Sequence, residues 1–208
     1  MHDLLPSELR VLGSLLEKQR TTPDTYPLTL NALRAACNQS TNRDPVVNYD
    51  EETIRDALAR LGRRRWTRLA SGHGSRAAKY RHLLDEELTA DRSEQALLAV
   101  LMLRGPQTPG ELLQRTERLY HFEGAADLHA VLDRLIEREL VARLGRRPGQ
   151  REERYMHLLG DEEPPEETAA PGPAPVAAPV DDDRLARIER ELAELRAEVE
   201  ALREAIGA

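Results

Sequence analysis

Apolar residues recur at helical spacing in six stretches of the first 160 residues, and twice the helical period gives way to a short hairpin pattern. Ser7 is read as the cap of a helix running to about Arg20, with Leu9, Leu12, Leu15 and Leu16 at core spacing. Pro23 and Pro27 break the chain, and a second helix is expected from about Thr29 to Asn38, with Leu30, Leu33 and Cys37 inward. After a polar connection at 39–48, Asp50 caps a third helix with Ile54, Leu58 and Leu61 on one face. The order then recurs. A helix from about Ser93 to Arg104 ends at Gly105-Pro106, Thr108-Pro109 opens the next, and a third spans about Ala125 to Arg138 with Leu128, Leu132, Leu135 and Ile136 inward.

The hairpins that follow each third helix are copies of one another. WTRLASGHGSRAAKYRHLL (66–84) and VARLGRRPGQREERYMHLL (141–159) align without a gap at an offset of 75 residues. They share Arg68/Arg143, Leu69/Leu144, Gly74/Gly149, Arg76/Arg151, Tyr80/Tyr155, His82/His157, Leu83/Leu158 and Leu84/Leu159. Each copy reads as strand, Gly-containing turn and strand. Three helices closed by a hairpin, twice over, suggest tandem winged-helix modules.

The remaining chain is different in kind. Residues 161–180 hold six Pro and almost no large apolar side chain, the composition of a disordered or polyproline linker. Residues 181–208 carry a heptad, with Leu185, Leu192, Val199 and Ile206 at position a and Ile188, Leu195 and Leu202 at position d. The g–e pairs Arg184–Glu189, Glu191–Arg196 and Glu198–Arg203 are all opposite in sign, which favours a parallel dimer, although Leu at two a positions leaves a trimer open. The plainer reading is an amphipathic helix docked on the modules. A lone helix of this length is marginal in water, which favours self-association.

The expected fold is therefore mainly α with small β-hairpins, an α+β chain. It comprises winged-helix domains at 1–84 and 85–160, a Pro/Ala-rich disordered linker at 161–180 and a coiled-coil helix at 181–208.

Composition alters this picture in one respect. The formal net charge of −7 is not spread evenly. Residues 161–208 hold 5 Lys+Arg against 14 Asp+Glu, and residues 1–160 hold 25 against 23. The modules are thus near neutral, so overall acidity does not argue against a nucleic-acid partner, nor does their own charge argue for one. The single Cys37 fits a reducing compartment, and no apolar run is long enough to span a bilayer. A cytoplasmic location without membrane association is expected.

The segments LLEKQRTTPDTYPLTLNALRAACNQSTNRDPV (15–46), SGHGSRAAKY (71–80), LMLRGPQTPGELLQR (101–115) and RPGQREERYMHL (147–158) resemble the YceH-like family of bacterial proteins. The resemblance covers about residues 1–160 and implies two winged-helix domains in tandem. It implies no established activity. The Pro-rich segment and the heptad helix lie outside the region it covers.

Candidate chemistry is sparse. The sequence has no phosphate-binding Gly loop, metal-spaced Cys pair or nucleophile elbow, and no cofactor or enzymatic activity is expected. His82 and His157 each share a strand face with the Tyr two positions earlier, and a structural role explains their recurrence better than a metal does. Cys37 reads as a small core residue.

The nucleic-acid argument rests on cations. The candidate contacts to double-stranded DNA are Arg43, Arg63, Arg64, Arg65, Arg68, Arg76, Lys79, Arg143, Arg146, Arg147, Arg151 and Arg154. The plainer reading is a solvated face on an Arg-biased chain, and Arg63–Arg65 also suit the negative end of helix three. The acidic start of that helix, Asp50-Glu51-Glu52, argues against base reading there. The expectation is a DNA-binding regulator or nucleoid-associated factor that holds DNA by its wings and self-associates through its last helix. The alternative is a scaffold that binds an unidentified protein.

Overall fold

Pro6 starts the first helix, because its fixed φ already suits a helical turn and its missing N–H is one that the first turn leaves unbonded. The computed structural model describes residues 3–70, 77–145 and 152–160. The expectations for the hairpin turns, the linker and the heptad helix lie outside the described residues.

Helix α1 spans Pro6–Thr21 with Leu5 as its N-cap, so Ser7 lies inside the helix and does not cap it. The Glu8 carboxylate instead accepts from the Leu5 amide at 2.7 Å. The first repeat continues with β1 (Leu28–Thr29), α2 (Leu30–Cys37, capped by Thr29), α3 (Glu51–Arg63, capped by Asp50), β2 (Thr67–Leu69) and β3 (Lys79–His82). These strands form an antiparallel sheet in the order β1-β3-β2. A single helical turn, α4 (Leu84–Glu87), leads to the second repeat. That repeat comprises α5 (Arg92–Arg104), α6 (Pro109–Thr116, capped by Thr108), α7 (Ala125–Glu137), β4 (Val141–Leu144) and β5 (Arg154–His157). Its counterpart of β1 is reduced to one antiparallel bridge, Gln107↔Tyr155, with mutual backbone bonds of 2.9 and 2.8 Å.

The second and third helices of the two repeats match in length. Helices α2 and α6 have 8 residues each, and α3 and α7 have 13. Both third helices end in the same Schellman motif. Arg65 (φ 63°) and Glu139 (φ 54°) adopt the left-handed conformation one residue past the cap. The next amides, Trp66 and Leu140, return to Leu61 and Leu135 at 2.9 Å. All four of those apolar side chains are buried, which supplies the hydrophobic contact the motif needs.

Helices α1 and α5 lie against each other and fuse the repeats. Every residue of α5 from Ser93 to Leu103 is buried, as is α1 from Glu8 to Leu16. A helix covered on all sides belongs inside a core, and the apolar residues of these two join one continuous cluster drawn from both repeats. Gly13 meets Leu103 and Met102, while Arg20 meets Gln95 at 3.4 Å, so the two helices run antiparallel. A Cβ on Gly13 would fall 2.9 Å from Leu103 Cγ, so glycine is what permits this approach. Backbone bonds cross the seam as well, from Leu4 to Leu159 and from Asp44 to Leu103, both at 2.9 Å.

Candidate nucleic-acid interface

The end of α3 and the strand that follows it carry most of the exposed cations of the first repeat. Arg60, Arg63 and Arg64 occupy one face of the last turns of α3, since positions three and four apart are neighbours on a helix. They line a concavity of about 430 Å³ together with Asp3, Leu5 and Glu8. Arg64 donates to the Asp3 carbonyl at 3.5 Å. Arg65 is exposed in its left-handed position, and Arg68 is exposed on β2 opposite Arg81 of β3. Arg81 is neutralised by Glu86. Among the described residues, Arg60, Arg63, Arg65 and Arg68 have no ion pair. Lys79 opens β3 and is half-buried.

Three candidates are placed elsewhere. Arg43 is buried and belongs to the interior. Its guanidinium holds both oxygens of Glu17, at 3.1 and 2.6 Å, and donates to the carbonyls of Ala36 and Asn42 and to Gln39. With every donor satisfied inside the fold it offers nothing to a phosphate. Arg154 is half-buried and donates to the Pro106 carbonyl. Arg143 is flanked by Asp133 and Glu153, both at 3.6 Å, and lies 5.7 Å from the centre of the Tyr155 ring. Arg76, Arg146, Arg147 and Arg151 lie outside the described residues, as do Leu185, Ile188, Leu192, Leu195, Val199, Leu202 and Ile206.

The strand register also revises the alignment of the hairpins. Leu69 pairs with Tyr80, whereas Arg143 pairs with Tyr155. The first strands therefore correspond at an offset of 74, which is also the offset of α3 and α7, and the second strands at 75. Arg68 matches Ala142, and Arg143 matches Leu69. Because side chains alternate across a strand, a shift of one residue reverses the face. Arg143 accordingly meets Tyr155, while Arg68 is directed away from Tyr80.

The recurrent histidines are structural. Each is buried, and each accepts an amide through Nδ1, from Leu84 at 3.3 Å and from Leu159 at 3.4 Å. His82 Nε2 meets Gln19 Oε1 at 2.8 Å. An accepting Nδ1 requires the neutral ring, and burial holds both histidines down to about 4. Cys37 is fully buried, and burial pushes its thiol up to about 11.

The cluster at Arg134 and Arg138 does not follow from the candidate cations of the sequence. Glu94, almost wholly buried, receives Arg138 at 2.8 Å and Arg134 at 3.6 Å, and Asp91 receives Arg134 at 3.0 Å. A signal for its acidic half is present in the chain, since Asp91-x-x-Glu94 is a capping box at the start of α5.

The fold is thus a fused pair of three-helix-and-hairpin repeats, mixed helix with small antiparallel sheets. The chain belongs to the bacterial family described as Protein of unknown function, DUF480, which matches residues 4–150. A UPF0502 protein of Azoarcus sp. strain BH72 is 46% identical over 205 residues, covering 98% of this chain and 91% of that protein. The UPF0502 protein YceH of Escherichia fergusonii is 41% identical over 213 residues, covering 99% of each. A UPF0502 protein of Klebsiella pneumoniae is 42% identical over 218 residues with the same coverage. These alignments extend beyond residues 4–150, the part that the family model matches, into the C-terminal segments of the chain. No helix among the described residues is long and apolar enough to cross a membrane.

Proposed function

We propose that this is a tandem winged-helix protein of the cytoplasm, without enzymatic activity, that holds the phosphate backbone of double-stranded DNA chiefly through its first repeat. Arg63, Arg65 and Arg68 carry this reading, because among the described residues they are exposed and without ion pairs, whereas Arg134, Arg138 and Arg143 of the second repeat face carboxylates. The acidic start of α3, Glu51 and Glu52, makes backbone contact the more fitting mode than base reading. The heptad at 181–208 joins protomers, which raises avidity.

Duplex titration at several salt concentrations tests the reading. Log K should fall linearly with log salt, and Arg63→Gln/Arg65→Gln/Arg68→Gln should make the slope shallower by about 0.9 for each phosphate that is no longer neutralised. A flat plot, or a slope unchanged in the triple variant, would remove the proposal. Sedimentation of the full chain against L192E/L195E tests the tail, and equal monomer masses would end that part.

One observation favours the scaffold reading instead. Leu69 is 61% exposed at a groove of about 520 Å³ between α3 and the hairpin, lined also by Leu58, Ala59 and Tyr80. A stable co-purifying protein that is lost on Leu69→Glu, with DNA affinity unaffected by the arginine variant, would favour it.

A further inference from the structure

A second cationic site lies at the seam between the repeats, away from the end of α3. Helices α1, α5 and α6 enclose a cavity of about 390 Å³, at the small end of the range of roughly 300–1,000 Å³ for small-molecule sites. Its apolar wall is Val100, Leu103 and Leu119, and its cations are Arg104, Arg115 and Arg118. We propose that this cavity binds a small organic anion with a single carboxylate or phosphate head and a compact apolar body, the head held by these three arginines.

The argument is one of charge balance in a partly enclosed space. The carboxylate of Glu17 also lines the cavity, but both of its oxygens accept from Arg43, which is not among the lining residues. Glu111 partners Arg115 at 3.2 Å and lies outside the lining. Arg104 donates to Asn42, a neutral acceptor that leaves its charge in place. Arg118 has no ion pair among the described residues. The guanidinium of Arg104 is held below its ordinary range, first by burial and then by the nearness of Arg115 and Arg43, which outweigh Glu17 and Asp44 acting the other way. Like charges crowded against an apolar wall are the complement of an anion that brings its own apolar surface. Arginine suits both head groups, because its planar fork matches carboxylate and phosphate oxygens. The site draws on both repeats, since α1 belongs to one and α5 and α6 to the other. An occupant would therefore bind only the assembled fold and stabilise it.

Calorimetric titration of the full chain tests this with phenyl phosphate and benzoate, against inorganic phosphate and neutral phenol. At least one of the two aryl anions should bind one per chain and raise the melting temperature. Inorganic phosphate should bind at least about tenfold more weakly, and phenol should show no saturable binding. Arg115→Gln/Arg118→Gln, at the cavity mouth, should weaken the aryl anion by about tenfold or more, whereas Arg63→Gln/Arg65→Gln/Arg68→Gln should leave it unchanged. Absence of saturable binding for both aryl anions would overturn the proposal. So would equal affinity for inorganic phosphate, or a loss that follows the α3 variant and spares the cavity variant. Because the two variants report on separate sites, failure here and failure of the DNA reading are distinguishable.

Discussion

The two repeats place arginines at matching points of the third helix and then dispose of them in opposite ways. In the second, Arg134 and Arg138 close onto Asp91 and Glu94, the N-cap and third residue of α5. In the first, the matching arginines are Arg60 and Arg64, and the matching cap positions are Leu5 and Glu8. Leucine cannot receive Arg60. Glu8 binds the Leu5 amide with one oxygen, and its other oxygen is buried without a partner. A network that is complete in one repeat lacks its acidic cap in the other, where Arg60 has no ion pair among the described residues. The difference teaches that one helix-hairpin frame can close its third-helix arginines onto an acidic cap or leave one of them exposed without that carboxylate.

Where the repeats agree, the largest effect is expected. His82 and His157 are both neutral in the fold and held near 4, against an ordinary value of 6.5. Between these values the unfolded chain binds protons that the folded chain refuses. Stability is therefore full above pH 6.5 and is lost as pH falls toward 4, by roughly 3 kcal/mol for each histidine. The two together rival the roughly 5–15 kcal/mol that holds a typical domain folded. Denaturant titrations at stepped pH should show a slope approaching two protons near pH 5, and about one in His157→Gln. A profile flat from pH 7 to 4.5 would contradict the buried neutral assignment.

Next in size are the internal ion pairs. Arg43→Ala should destabilise the fold by about 3 kcal/mol, because it leaves Glu17 and the Ala36 carbonyl without their donor. DNA affinity of the folded fraction should not change, which separates Arg43 from the arginines of α3. A loss of affinity without a loss of stability would return Arg43 to the interface. Leu5→Asp then tries to convert the first repeat into the second. It restores a capping carboxylate, expected to add about 1 kcal/mol, and offers Arg60 a partner. DNA binding should weaken as the fold gains stability. If both rise together, the open network is not what frees these cations.

Much of this frame is legible in the chain. The Asp50 and Thr108 caps, the Gly105 stop and the order of helices follow from local rules that act within one turn. The Tyr-x-His strands are legible because both copies preserve them. Other features are not, since they depend on pairing across distance. An ungapped alignment matches Arg68 to Arg143, and only cross-strand register shows the one-residue shift between the first strands and the second. Arg43 looks like a surface cation in a polar loop, and nothing local predicts that Glu17 would draw it inside. Arg104 comes from α5 and meets Arg115 of α6 and Arg118 of the turn after it, so only the spacing of the last two is visible along the chain. The burial of α5 is readable in principle. Its run from Ala96 to Leu103 is apolar without interruption, which points to a helix covered on all sides.

The smallest expected effect isolates charge from backbone. Arg65 and Glu139 occupy the same left-handed position in the same Schellman motif, where a Cβ is unfavourable. Glycine removes that penalty but loses more entropy on folding, so each substitution should stabilise by a net of about 0.5–1 kcal/mol. Arg65→Gly and Glu139→Gly should therefore shift the denaturation midpoint alike, because the motif does not depend on which charge projects from it. Their effects on DNA should diverge. Arg65→Gly removes a solvent-facing cation and should weaken binding and reduce its salt dependence by the equivalent of about one phosphate. Glu139→Gly removes a carboxylate from the repeat whose third-helix arginines, Arg134 and Arg138, are paired, and should leave the salt slope alone. Equal stability with unequal DNA affinity would show that the repeats share a fold and differ in use. Equal changes in both would place the two repeats on the ligand together.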